Sequence, residues 1–189
     1  MVLMMKTKCK KGQHFFKKAI FQGVYVPPFS LFRPNSINIY NCRVRFDASC
    51  FTAPDVPMHH VDRWDLNKLP GISFDWHHHL NSVRMAWVVD AENNIQLWTY
   101  IRREGKIDWA SNKWCGTITQ GYPELEYSIV FNRSEGTYSM CIQGRVKYQV
   151  LIQPVPRTSS PYWYSVGPYH GGDLTAPCDM EMEVRMAYF

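Results

Sequence analysis

The sequence predicts an all-β protein, a two-sheet antiparallel sandwich of the jelly-roll type. Three observations carry that expectation. Roughly ten short segments alternate apolar and polar residues at period two, which sends successive side chains to opposite faces of a strand. Turn residues separate them at intervals of roughly 8 to 12 residues, the rhythm of sandwiches and barrels. No stretch sustains the 3.6-residue period of an amphipathic helix.

Length and composition fit this class. With 189 residues the chain is long enough for one sizeable core and short for two. It is 46% hydrophobic and 20% charged, globular rather than disordered. The expected organisation is a flexible basic arm over residues 1–12, carrying Lys6, Lys8, Lys10 and Lys11, and a single sandwich domain over 13–189. The chain carries a net charge of +5, and beyond the arm its charge is nearly balanced, so no nucleic-acid face is expected. Aromatic residues reach 15%, more than a core needs, which places some rings on a surface or groove.

Six cysteines, Cys9, Cys42, Cys50, Cys115, Cys141 and Cys178, are scattered without a C-x-x-C pair. The opening residues have the wrong order of apolar and basic groups for a signal peptide, and no apolar run approaches the roughly 20 residues of a membrane span. The expectation is a reduced, cytoplasmic setting with free thiols, or a place in a virus particle, and no membrane partner.

Along the chain, 14–21 suggests a short strand and a Pro-rich connection follows. Residues 37–46 alternate, with Ile37 and Ile39 on one side and Tyr40, Cys42, Val44 and Phe46 on the other, and a slip near Tyr40 suggests a bulge. Residues 47–69 form a long irregular connection. Then comes a clear hairpin. Val83, Met85, Trp87 and Val89 alternate with Arg84, Ala86 and Val88, residues 91–94 turn, and Ile95, Leu97, Thr99 and Ile101 oppose Gln96, Trp98, Tyr100 and Arg102. Segments 113–120, 124–132, 137–142, 145–152 and 162–166 continue the pattern. In the last strand Met180, Met182, Val184, Met186 and Tyr188 alternate with Asp179, Glu181, Glu183 and Arg185.

Four groups of residues could carry chemistry. His77, His78 and His79 could ligate a metal if the segment is extended and His59, His60, Asp75 or His170 joins them. No spaced metal motif is present, however, and a polar loop explains them as well, so neither a metal nor a cofactor is assigned. Arg84 shares a face with Ser82 and lies across from Trp98 or Tyr100, a planar cation among rings that suits a carboxylate or a hydroxyl-rich ligand. A structural arginine paired with Asp62, Asp65 or Asp75 is the alternative. Asp62, Asp65 and Asn67 supply carboxylate and amide groups in the long connection, which could serve a ligand or cap turns. Finally, Tyr169 and His170 sit in a Gly-rich turn that is not a phosphate loop. The expected ligand-binding set is therefore Arg84, Trp98, Tyr100, His78, Asp65, Asn67, Tyr169 and His170, with no catalytic residue assigned.

The blocks DLNKLPGIS, HHHLNSVRMAW, IQLWTYIRREGK and VGPYHGGDLTAPCDMEMEV resemble those of a family of bacterial and phage-encoded β-sandwich proteins, with patterns D-x-N-K-L-x-G, H-x-N-S-x-R-x-x-W and P-Y-x-G-G-x-x-x-A-P. The likeness covers residues 12–189 and implies the fold; it carries over no catalytic residues. A looser likeness to concanavalin A-like lectins and glucanases holds at the level of fold. The paired-glutamate strand of laminarinase-type glucanases is missing. Together these features favour a non-catalytic sandwich that binds a glycan. A phage particle component, assembling with itself or with other virion proteins, is the alternative. A carbohydrate-active lyase or hydrolase using His78, Arg84, Asp65 or Tyr169 is the third reading.

Overall fold

The structure is a computed structural model that describes all residues except 1, 15, 18–23, 27–36, 57–64, 76, 133–136, 144, 152–162, 172–173 and 189. Fourteen strands and one short 3-10 helix, Ala48–Phe51, make up its regular structure among the described residues. The strands form two antiparallel sheets packed face to face. The first sheet has the order β12 (Arg145–Leu151), β11 (Thr137–Ile142), β10 (Glu124–Asn132), β4 (Ile37–Phe46), β14 (Met180–Tyr188), β1 (Val2–Cys9) and β2 (Phe16–Lys17). The second runs β3 (Val24–Val26), β13 (Trp163–Val166), β5 (Asn67–Ser73), β6 (Ser82–Val89), β7 (Ile95–Arg103) and β8 (Lys106–Ile107), with β9 (Trp114–Ile118) also pairing with β7. The predicted sandwich is what the chain forms.

The alternating residues decide which face each strand buries. Tyr40, Cys42, Val44 and Phe46 of β4 and Met180, Met182, Val184 and Met186 of β14 point inward from the first sheet. Val83, Met85, Trp87 and Val89 of β6 and Ile95, Leu97 and Ile101 of β7 meet them from the second. Phe46 and Trp87 join the sheets edge to face, 5.6 Å between ring centres, and Phe74 and Phe131 do so at 5.5 Å. Burying each such side chain contributes roughly 1.5–3 kcal/mol relative to leaving it in water.

Three expectations need correction. Residues 2–9 are not a flexible arm but a strand paired along its length with β14, Lys6 opposite Glu183 and Lys8 opposite Glu181. Thr7 and Cys9 are buried while Lys6 and Lys8 face solvent, and Lys8 pairs with Glu181 and Lys10 with Asp179 (2.6 Å). The basic residues are the outward half of a strand whose acidic partner lies at the far end of the chain. Nor is β4 bulged at Tyr40; its pairing with β10 and β14 is continuous, and Ile39 simply belongs to the outer face. Finally, the long connection ends early, because Asn67–Ser73 is a strand in the middle of the second sheet, paired with β6 and β13. The strand expected over 14–21 is described only at Phe16–Lys17.

All six cysteines are free thiols, four of them buried. Burial pushes the Cys42 and Cys50 thiols up to about 12. No described helix is long and apolar enough to cross a membrane.

Candidate functional site

The site is built on the outer face of the second sheet. The central hairpin alternates cleanly, so turning Val83, Met85 and Trp87 into the core turns Arg84 and Ala86 outward, and turning Leu97, Thr99 and Ile101 inward turns Gln96, Trp98, Tyr100 and Arg102 outward. Asp90 fixes the turn of this hairpin: its carboxylate accepts from the backbone N–H groups of Glu92 (3.0 Å) and Asn94 (2.8 Å), and Asn93 takes a left-handed conformation (φ 58°).

Strand β5 adds the residue that composition and spacing did not single out, Lys68. It lies opposite Ala86, and Gly71, past a register shift, lies opposite Arg84. Residues Lys68 and Tyr169 exchange both backbone hydrogen bonds (2.7 and 2.9 Å), and Asn67 Oδ1 accepts from Gly171 N at 2.9 Å. The D-L-N-K segment and the P-Y-H-G segment, about a hundred residues apart, are thereby clamped side by side. Lys68 Nζ then sits 4.9 Å from the centre of the Tyr100 ring and 5.7 Å from that of Tyr169, against the Cα of Gly171. A methyl group at Gly171 would occupy the place of the ammonium. Tyr169 is held in turn by parallel stacking on His14, 5.7 Å between ring centres.

The surroundings are cationic. Burial, with Arg84 and Arg102 nearby, pulls the Lys68 amine down to about 8, and Asp65 acts in the opposite direction. No hydrogen bond or ion pair to Lys68 Nζ is formed among the described residues. Arg84 is buried, only 4% exposed; it donates from Nη2 to the carbonyl of Gly167 and leaves Nε without a hydrogen-bond partner. Burial also lowers its affinity for the proton. Such an unmade bond costs about 1–3 kcal/mol. Arg102 is fully engaged, donating to the carbonyl of His79 (2.7 Å), to Tyr100 Oη (3.3 Å) and to the carbonyl of Gly105.

The histidines do not form an extended row. Residues 77–80 make a turn, closed by Leu80 N donating to the carbonyl of His77 (2.9 Å), and the rings of His78 and His79 face each other at 3.9 Å. Burial, helped by Arg84, pulls His78 down to about 4, so it is neutral at ordinary pH. Among the described residues, no group of three His, Cys, Asp or Glu side chains could hold a metal; His59, His60 and Asp62 lie outside them.

The expected set therefore divides. Tyr100, Tyr169 and Asp65 gather around Lys68, Arg84 lies beneath the surface with His78 near it, and Trp98 continues the same face. Asn67 and His170 do different work: Asn67 ties β5 to Gly171, while buried His170 contacts the carbonyl of Leu174 (3.2 Å) and donates its backbone N–H to His14. Burial lowers His170 to about 4. On the strand that carries Lys68, Gly71 has to be a glycine: a Cβ there would collide with the Arg84 side chain and the Val83 carbonyl.

No protein-family model matches the chain, and no curated protein matches it by sequence. Solved structures do. The chain is similar to the alginate lyase Aly36B, a double mutant with a lysine and a tyrosine replaced by alanine, in complex with alginate tetrasaccharide: TM-score 0.62, 12% identity, 98% of this chain and 80% of that one covered. It is similar to an alginate lyase from Pseudomonas aeruginosa (TM-score 0.50, 12% identity, 82% and 66% covered). A further alginate lyase, a member of polysaccharide lyase family 7, gives TM-score 0.50 at 9% identity, with 82% and 63% covered. The chain spans less than two thirds of the length of these last two. At such identities the likeness shows the fold, a jelly-roll sandwich.

Proposed function

We propose that this chain binds an acidic glycan on the outer face of its second sheet, with Lys68 meeting the carboxylate of a sugar residue. One observation carries the reading: an ammonium group clasped by Tyr100, Tyr169 and Gly171, without hydrogen bond or ion pair among the described residues, in cationic surroundings. A half-buried cation of this kind, with Asp65 as the nearby carboxylate, suits a further anion, and the partly exposed Tyr169 ring offers an apolar face to the C–H groups of a sugar. Arg84 beneath adds positive potential without reaching the surface. That a protein of this fold has been captured with alginate, a chain of uronate sugars, agrees with this ligand class. The particle-component reading draws no support from the fold or from these neighbours.

The test is retention on immobilised polysaccharides. Polyuronates should hold the protein and neutral glucans should not, and Lys68→Met should abolish retention while leaving the thermal transition in place. Equal retention on neutral chains, or full retention by Lys68→Met, would sink the proposal.

The same lysine favours a second reading, a lyase. With a pKa of about 8, a sizeable fraction of Lys68 is neutral near pH 8 and can take a proton. In β-elimination it would remove the proton beside the sugar carboxylate. The electrons released form a C=C bond, the glycosidic C–O bond breaks, and a tyrosine hydroxyl, Tyr100 or Tyr169, returns a proton to the leaving oxygen. The check is ultraviolet absorbance from unsaturated ends when polyuronates are incubated with the protein. None above the Lys68→Met background would leave binding alone.

A further inference from the structure

The row that starts at Lys68 does not stop at the hairpin. Across the second sheet Lys68 lies opposite Ala86, Ala86 opposite Trp98, and Trp98 opposite Trp114 of β9. Trp114 is 57% exposed, yet its ring is not free to turn: its indole N–H donates to Gln96 Oε1 at 2.8 Å, and the Thr117 hydroxyl reaches the same oxygen at 2.9 Å. Gln96 is fixed in turn by donating to Asp90 Oδ2 at 2.5 Å, and Asp90 is anchored in the hairpin turn.

A β-bulge makes this arrangement possible. Residues three apart on a regular strand face opposite ways, but the register shifts between Leu97 and Trp98, and Gly116, at φ 142°, takes the turn. Cys115 and Ile118 reach the core while Thr117 and Trp114 both come outward to the same glutamine. Leaving a large apolar ring in water is unfavourable, and immobilising it there costs entropy as well. A rigid, exposed indole is what a sugar face needs for stacking.

We propose that Trp114 is a second sugar subsite of the same glycan-binding face, distant from Lys68, so that the protein selects chains long enough to reach both. Three strand spacings of about 4.8 Å separate the two ends of the row, about 14 Å, which is roughly the reach of three pyranose units. Ala86, small and itself buried, lies between Lys68 and Trp98 in that row. This inference rests on the acidic-glycan reading, which puts the first sugar at Lys68.

Titration calorimetry with 1,4-linked oligouronates of increasing length, from dimer to hexamer, tests it. Affinity of the native protein should step up by about tenfold once the chain spans the row, the increment expected of one aromatic stacking contact. Trp114→Ala should remove that step and leave the dimer unaffected. Gln96→Leu, which keeps the ring but releases its indole N–H, should remove part of it. A length series without a step, or a Trp114→Ala loss equal for dimer and hexamer, would overturn the subsite while leaving binding at Lys68 intact. No binding at any length would instead overturn the acidic-glycan reading, and the subsite with it.

Discussion

The two outer faces of the sandwich obey the same alternation and end in opposite states. On the first sheet opposite charges face one another across the strands: Glu124, Arg45, Glu183 and Lys6 form one row, and in the next Arg43 pairs with Glu126 (2.7 Å) on one side and lies opposite Arg185 on the other. These pairs are exposed and contribute little to stability. A groove of about 410 Å³ on this side is lined by Lys6, Arg45, Asp47, Glu181 and Glu183, charges of both signs already facing one another. On the second sheet Lys68, Arg84 and Arg102 crowd beneath and between aromatic rings, and Arg84 keeps an unbonded Nε. A balanced, solvated face asks nothing of a partner. An unbalanced, half-dry one is held together by the core and backbone, and under the proposed function the arrival of an anion would lower its free energy.

The comparison can be broken most severely at the glycines that let the second face pack. Gly71→Ala drives a methyl group into the Val83 carbonyl and the Arg84 side chain, so the sheet must open between β5 and β6. We expect a loss of about 3 kcal/mol or more, seen as a lowered denaturation midpoint. Gly121→Ala, in open space on a turn, is the control and should change little. Arg84→Ala comes next: it leaves a cavity and unpairs the Gly167 carbonyl, about 2–4 kcal/mol by the same measurement. It should also raise the Lys68 pKa, since one of the charges holding it down is gone.

Acid should act on the second face before the first. The unfolded chain binds a proton to histidine near pH 6.5, whereas folded His78 and His170 resist until about pH 4. In that window the unfolded state holds more protons, so stability falls as pH drops from 6.5 towards 4. His78→Gln should flatten part of that slope in thermal melts. Lys68 acts at the alkaline end. Folded, it loses its proton near pH 8, and unfolded near 10.4, so stability rises with pH between the two, and Lys68→Met should lack this rise. Anion binding should weaken through the same range, whereas elimination, if catalysed, should accelerate. The smallest effect belongs to the first sheet: Arg43→Ala should leave binding unchanged and stability nearly so.

The contrast also marks what a sequence makes legible. The hairpin of β6 and β7 and the last strand were readable because one face is apolar and the other is not, over eight or nine residues. Strand β5 was not. Nearly all of Asn67–Ser73 is buried, so its polar and apolar residues do not sort by face, and Pro70 and Gly71 read as strand breakers. The first strand was obscured for another reason: its lysines make sense only against Glu181 and Glu183 at the other end of the chain. Of the site, Tyr100, Tyr169 and Asp65 could each be named from composition and turn context. Their meeting point, Lys68, depends on a bridge between residues 68 and 169 that no local pattern encodes. Trp114 was hidden by its bulge, which breaks the alternation that would have placed it beside Trp98.

The central claim is that the second face, and Lys68 within it, holds an acidic glycan while the first face does not. Calorimetric titration of a hexameric oligouronate into the native protein, Lys68→Met and Arg43→Ala tests it most directly. The account predicts at least a thirtyfold loss for Lys68→Met, on the order of the 2 kcal/mol of a charge-assisted contact, and no change for Arg43→Ala. Equal affinity in all three proteins, or a loss confined to Arg43→Ala, would contradict it.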